Sequence, residues 1–325
     1  MVHFARTFYG ENRLRRSINQ FFAISGLTAL EAIRQPVTIL LTTMIVLFSG
    51  VLPLLIMYDL GDASKLVRDS VLALHLVAGM VLGGFAACSS LSREFRSGTG
   101  AAILSKPVNR VVFFLAKYAG VAVVMVAFSL IMLCTTLLAV KMCGEDFMVD
   151  WRAGIPLFGS IVLAMILAAL QNYFTQVPFP SRAFGWLFIL LPVSMAPGLF
   201  GQETAYAWDL LPVSLLVTLA ILVLSGLACA LATRLQVVPV LVACSVALML
   251  GLMSDYLFGR FAETSTLSRV LYGILPNWQH FWTLDALNAG GIPWVYLAKA
   301  ALYAAFYLAG LLSLGIFAVY RVEVR

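Results

Sequence analysis

The run VTILLTTMIVLFSGVLPLLIM, residues 37–57, holds no charged side chain. A helix rising 1.5 Å per residue needs about 20 apolar residues to cross a hydrocarbon core about 30 Å thick, and this run supplies them. The rest of the chain reads the same way. Hydrophobic residues make up 62% of its 325 positions, charged residues 11%, and the mean hydropathy is +0.98. Ordinary globular domains carry roughly 25% charged residues, because a water-facing surface needs them. With under half that share, the chain cannot cover itself for water. Disorder, a coiled coil and a soluble enzyme with a membrane tail are excluded, since apolar residues extend over nearly the whole length. The solvent is lipid.

Working outward, further apolar runs fall at residues 70–91, 111–140, 155–176, 184–201, 210–232, 237–257 and 294–320. The expected fold is all-α, a polytopic transmembrane bundle of about eight spans, with both termini cytoplasmic. The run 184–201 is short and interrupted by Pro192 and Pro197, so it reads as a full span or as a broken, re-entrant helix, which lipid tolerates only where protein surrounds it. Without a spanning hairpin at 155–201 the count is six, with the same sidedness.

Charge fixes the orientation. With a cytoplasmic N-terminus the inner segments carry Arg6, Arg13, Arg15, Arg16, Arg34, Arg93, Arg96, Lys106, Arg110, Lys117, Arg182, Arg234, Arg321 and Arg325, 14 of the 21 basic residues. They carry only four acids: Glu11, Glu31, Glu94 and Glu323. The outer side takes the other 11 acids and nets −4 against +10 inside, the bias expected of cytoplasmic loops. Trp151, Trp208, Trp278, Trp282 and Trp294 fall at or beyond outer ends, as interfacial aromatics do. The overall charge of +6 is therefore a membrane signature, not a nucleic-acid one. The first 35 residues are too polar and Arg-rich for a signal peptide. The five cysteines show no metal or disulfide spacing, and Cys143 alone is expected near an aqueous face.

Before the first span, Ile18, Phe21, Phe22, Ile24, Leu27, Leu30 and Ile33 recur at helical spacing among polar residues. This predicts an amphipathic helix in the cytoplasmic interface that ends at Pro36. It reads equally as a simple anchor or as an elbow that organises a transporter's inner face. Residues 1–36 thus form a leading element, and 37–325 the membrane domain. Between the second and third spans lies SREFRSGTGAAILSKPVNRVVFFLAKYAG, residues 92–120. Gly98 and Gly100 permit a turn, Ala101 to Ser105 suit a short helix, and Pro107 ends it. By pattern alone, so compact and charged an element suits the docking of a soluble partner, or needs no explanation beyond sidedness.

In order and spacing, however, this stretch resembles the permease subunit of type-two ATP-binding-cassette exporters. There, an acidic residue, a Gly-Thr pair, a short apolar helix, Ser-Lys-Pro, an Arg and a Lys come after the second span. Here they are Glu94, Gly98-Thr99, Ala101 to Leu104, Ser105-Lys106-Pro107, Arg110 and Lys117. GLMSDYLFG (251–259), LPNWQHFWTLDAL (275–287) and the ending FAVYRVEVR are more weakly similar. The family commonly has six spans, so the extra hairpin is a departure. The resemblance implies a permease without its own engine, docking a separate ATPase through a coupling loop at 92–110. The implied docking residues are Glu94, Arg96, Gly98, Thr99, Lys106, Pro107 and Arg110. It also implies a second permease copy or a paralogue as partner, no cofactor beyond the ATP held by the ATPase, and a bacterial cytoplasmic membrane. Independently, no GK dipeptide and no GxGxxG occurs, so the chain holds no phosphate loop of either kind.

Other candidates weigh less. Gly79 and Gly83, continued by Ala87, form a small-residue stripe for close helix packing, inside one bundle or between subunits. His75 reads as a packed or interfacial histidine before a proton relay. Lys117 can reach back to the inner surface. Asp255 and Lys299 sit near the outer ends, and no carboxylate falls centrally in a span, which disfavours ion coupling. The outer segment 258–293 reads as two short amphipathic helices, around Val270, Leu271 and Ile274 and around Trp278, Phe281 and Trp282. His280 and Asp285 lie off one helical face and have no nucleophile beside them, so catalysis is not expected. The expected function is the transmembrane half of an ATP-driven exporter, the alternative being a scaffold or sensor that uses the same loop.

Overall fold

The structure is a computed structural model. It describes residues 2–55, 63–92, 109–144, 148–196, 206–261, 265–283 and 291–320, and for residues 2–14 and 16 the backbone alone. The described residues form helices and no strand; one isolated bridge pairs Cys143 with Val149 at the turn after the third span. The helices are α1 (Val2–Arg34), α2 (Pro36–Leu55), α3 (Ala63–Ala87), α4 (Arg110–Met142), α5 (Trp151–Thr175), α6 (Phe179–Ser194), α7 (Leu210–Ala232), α8 (Val237–Leu252), α9 (Ser254–Leu257), α10 (Thr266–Ile274) and α11 (Trp294–Tyr320).

Six of these are long and apolar enough to cross a membrane: α2, α3, α4, α5, α7 and α11. A seventh, α8, passes only together with the segment beyond it, which bends away by 64° at Met253. The hairpin arm α6 is apolar but only 16 residues long. Eight apolar helices therefore stand where eight runs were read. Pro192 lies within α6, where it has no N–H to give the Phe188 carbonyl, and the helix stops two residues later.

Local chemistry sets the breaks. Gln35 interrupts the helix, Pro36 starts α2 with the fixed φ that a first turn favours, and Thr38 donates its hydroxyl to the Ala32 carbonyl at 2.6 Å across the bend. Asn109 caps α4 by accepting from Val111 N–H at 3.0 Å, and Asp150 caps α5 by accepting from Arg152 N–H at 2.9 Å. Helix α5 ends at Gln176, left-handed at φ 54°, and the Asn172 side chain donates to Val177 O at 2.7 Å before Pro178 opens α6. That three-residue turn forces α5 and α6 into an antiparallel hairpin, tied again by the Trp186 indole donating to Gln171 at 3.2 Å.

Burial separates the core from the rim. In the most apolar window of each helix, 72% of α3, 67% of α4 and 61% of α7 is buried within the chain, but only 17% of α11. The bundle is therefore built on α3, α4 and α7. Helices α2 and α5–α6 pack on one side, α11 on the other, α8 against α3 and α7, and α1 along α4. In lipid no water drives helices together, so close approach and dispersion decide the contacts. At Gly120 an added Cβ would lie 2.6 Å from Thr28 Cβ and equally close to the Ser25 carbonyl, so α1 lies directly on the α4 backbone. The helix is longer than the amphipathic stretch read from sequence, and it exposes Ile18, Phe22, Leu27 and Leu30 while burying Thr28 and Ala32.

Among the described residues, two contacts between helix ends join ends that the charge bias puts on one side. At the inner end Arg110, opening α4, meets Tyr320, closing α11. At the outer end the Tyr206 hydroxyl donates to Met195 O at 3.1 Å, and Lys141 Nζ lies 4.2 Å from the Tyr206 ring centroid.

Candidate functional site

Of the implied docking residues, Glu94, Arg96, Gly98, Thr99, Lys106 and Pro107 lie outside the described residues. The two roots of their loop are described. On the incoming side α3 does not end as an α-helix but widens into a π-helical turn, Cys88–Ser92, with Cys88, Ser89, Ser90 and Leu91 buried. Such turns recur at functional sites because an inserted residue re-aims the chain beyond it. Ser89 and Ser90 hydroxyls donate back to the Ala86 and Ala87 carbonyls at 3.0 and 3.1 Å, satisfying groups that the widened turn frees.

On the outgoing side, Arg110 Nη1 donates to the Tyr320 carbonyl at 3.4 Å, and its guanidinium lies 5.9 Å from the Tyr320 ring centroid. A cation at the last carbonyl of a helix also favours the dipole there. Lys117 does not reach water freely: it is 4% exposed, with its ammonium 5.7 Å from the Phe113 ring, one turn toward the inner end. Both roots of the loop are thus fixed in the most buried helices of the bundle.

Beside the incoming root lies a cavity of about 360 Å³. Gln35, Val37 and Thr38 line it from the elbow, Phe85, Cys88, Ser89 and Ser92 from α3 and its π turn, and Gln236, Val237 and Val238 from the start of α8. None of its lining residues is charged. Sequence reading missed this cavity, because its residues come from three segments far apart in the chain.

The small-residue stripe meets α7. A Cβ at Gly79 would collide with the Ile221 side chain, and one at Gly83 would stand 2.6 Å from Ser225 Oγ and 3.5 Å from Met125 Sδ. Ala87 is fully buried. The stripe is thus occupied within the chain. His75 is completely buried, its Nε2 3.0 Å from Ser129 Oγ on α4 and its ring edge-on to Phe128 at 5.7 Å, while Nδ1 finds no hydrogen-bond partner. Ser129 carries no sequence signal of its own.

The outer connection holds a polar network that sequence reading also missed. Asp255 accepts from Tyr272 OH at 2.8 Å and from Asn277 Nδ2 at 2.7 Å. Tyr303, on α11, accepts from the Asn277 backbone N–H at 2.9 Å, and Tyr307 OH lies 3.0 and 3.1 Å from the Gly273 and Leu275 carbonyls. This gives partners to the non-helical backbone around Leu275–Trp278, as required where such backbone sits against a span. The hydrogen bond to Asp255 raises the Tyr272 hydroxyl above the usual tyrosine range, because its proton is held by an anion. Helix α10 forms where a short amphipathic helix was expected. Beyond it the described chain makes only a 3-10 turn, Trp278–His280, because Trp278 turns inward: its indole donates to Ala247 O at 3.0 Å and packs on Gly251. The i, i+4 pair Tyr303 and Tyr307 was the available signal, one polar face on an otherwise apolar span. His280 is exposed beside Tyr303, and Asp285 lies outside the described residues. Among the described residues no group of His, Cys, Asp and Glu could hold a metal ion.

Residues 33–179 match the family model described as ABC-2 family transporter protein. Over this segment the chain is similar to ABC-2 transporter permeases. No curated protein matches the chain, and no solved structure does. The ABC-2 match begins at the end of α1, takes in the elbow, α2, α3, the whole loop 92–110, α4 and α5, and stops where α6 opens. The C-terminal third, with its weaker likeness, lies beyond it. The chain is therefore a multi-pass helical membrane protein in which residues 33–179 resemble ABC-2 permeases.

Proposed function

We propose that the chain is the transmembrane subunit of an ATP-driven exporter, which docks a separate ATPase through the loop 92–110 and moves its cargo along a path formed with a second permease chain. One observation carries the reading. The ABC-2 match spans the loop bearing Glu94, Gly98-Thr99, Lys106-Pro107 and Arg110, and both roots of that loop are anchored in the buried helices α3 and α4. A push delivered to either root meets a buried helix. It passes through the π turn to α3 and through Arg110 to α4 and the end of α11. Packed helices respond to such a load by rigid-body displacement between discrete arrangements. ATP would be bound and hydrolysed by the partner, on the face that the charge bias marks as cytoplasmic, and the family likeness points to a bacterial inner membrane.

The test compares Glu94→Ala with Glu203→Ala, an acid on the opposite side. Truncating one partner of a buried, hydrogen-bonded charge pair costs about 2–5 kcal/mol of binding. Glu94→Ala should therefore lose the ATPase in a pull-down or uncouple hydrolysis from transport, with membrane insertion intact, while Glu203→Ala does neither. Equal behaviour of the two variants refutes the coupling role.

A further inference from the structure

At the outer end a second cavity, of about 490 Å³, opens between the start of α7 and the start of α11. Its lining is Trp208, Asp209, Leu211 and Pro212 on one wall and Gly291, Ile292, Pro293 and Trp294 on the other. That volume falls within the roughly 300–1,000 Å³ typical of small-ligand sites. Tryptophans at an outer interface ordinarily lie among lipid headgroups as single anchors. Here two of them, both largely exposed, share one concave site with a carboxylate.

Among the described residues the exposed Asp209 carboxylate has no partner. Asp209 stands where a cap residue would, but its backbone is helical, at φ −61° and ψ −17°, and its side chain caps no N–H. It makes no ion pair among the described residues. The walls are held from behind. The Trp208 ring packs edge-on against Tyr206 at 6.0 Å, and Tyr206 is pinned by its hydrogen bond to Met195 O. On the other wall Ile292 is buried, Pro293 fixes the backbone, and Gly291 adopts φ 94°, the left-handed region that glycine tolerates.

Two charge preferences meet in this site. Indole faces and a free carboxylate attract a cation, above all an alkylated ammonium that aromatic faces desolvate well. The first turn of α11, which opens at Trp294 on the cavity wall, has N–H groups without intrahelical partners and the positive end of the helix dipole, which attract an anion. A bare cation would meet the dipole unfavourably, and a bare anion would meet Asp209. We propose that this cavity binds a zwitterionic headgroup, its ammonium against Trp208, Trp294 and Asp209 and its anionic group against the first turn of α11. The same chemistry is offered by an outer-leaflet phospholipid and by a free zwitterion in the outer aqueous phase. The proposal needs no ATPase and stands apart from the exporter reading.

The test titrates phosphocholine, tetramethylammonium and inorganic phosphate separately into the purified full chain in phosphatidylglycerol nanodiscs, followed by calorimetry. Phosphocholine should bind saturably and at least about tenfold more tightly than either half alone. Asp209→Asn and Trp294→Ala should each weaken it about tenfold, and Trp294→Tyr, which keeps a ring, should retain most of the affinity. Gel filtration and thermal unfolding identify any variant that has lost its fold, and Trp208→Ala, with the same tenfold weakening expected, then replaces it. Repeating the titration in phosphatidylethanolamine nanodiscs separates the sources: competition by the membrane identifies a lipid headgroup, and undiminished binding identifies a free ligand. No saturable phosphocholine binding, binding no tighter than that of the separate ions, or unchanged affinity in Asp209→Asn and Trp294→Ala would overturn the proposal. Retention of the ATPase by Asp209→Asn would be expected in every case.

Discussion

Replacing Gly83 by alanine probes the packing of the bundle with a single methyl. That methyl would stand 2.6 Å from Ser225 Oγ, closer than carbon and oxygen tolerate, while Ser225 Cβ and Met125 Sδ stay at an ordinary 3.5 Å. The obstacle is therefore one hydroxyl. To clear it, Ser225 must rotate and give up its 2.7 Å hydrogen bond to the Ile221 carbonyl. A typical intramolecular hydrogen bond contributes about 0.5–1.5 kcal/mol, so Gly83→Ala should destabilise by roughly 1 kcal/mol. Ser225→Ala alone removes the same bond, but its carbonyl acceptor still serves the helix, so it should cost no more. In the double variant the clash has gone and the methyl fills the vacated space. The two changes should therefore be non-additive, with the double variant more stable than the sum of the singles by about 0.5–1 kcal/mol. Gly83→Leu cannot be relieved in this way and should cost about 1–3 kcal/mol, the range for forced overpacking. Equilibrium unfolding of the purified chain in detergent measures all four. If Gly83→Leu is as stable as the parent, or the double variant is simply additive, the α3–α7 contact does not exist as described.

Further tests reach other parts of the molecule. With the other cysteines replaced, Cys143 should react with an impermeant thiol reagent only from outside the cell, and slowly; burial pushes its thiol up to about 11, so the rate should rise about tenfold per pH unit between pH 7 and 10, and reaction from the cytoplasmic side alone would invert the topology. Trp278→Ala should destabilise by about 3–5 kcal/mol, as large-to-small core changes do, and an unaffected unfolding midpoint would show the indole to be peripheral. Tyr272 is raised above its unfolded value, so its contribution is complete below about pH 10 and is lost only as pH climbs through the higher folded value; exchange protection over residues 265–283, taken relative to the base-catalysed intrinsic rate at each pH, should fall in that alkaline window and stay level between pH 6 and 8, and Tyr272→Phe should remove that fall.

The membrane fold was legible because its signal is local. An uncharged run such as 37–57 specifies a span by length and composition alone, and the bias of Arg and Lys sorts the ends. A break was legible where proline made it, as at Pro36, whereas the caps at Asn109 and Asp150 emerge only from the structure. What escaped depends on which distant residues meet. The partner of His75 is Ser129, an unremarked serine fifty-four positions away. Trp278 was read as an interfacial anchor, yet it is buried, because Gly251 leaves room for an indole that no periodicity reports. Asp255, set aside as an outer charge, is the acceptor that joins α9 to the stretch before α11. The ABC-2 segment was legible in the order of residues 94–117, a one-dimensional motif. The cavities at either end, each assembled from separate stretches of chain, were not.

The coupling claim is tested most directly by placing a photoactivatable residue at Thr99 and, separately, at Trp151 on the outer side, in cells that express the chain with its ATPase. Irradiation should yield a covalent adduct between the Thr99 variant and the ATPase subunit, and none from Trp151. No adduct from Thr99, with the chain correctly inserted and the ATPase present, would contradict docking through residues 92–110.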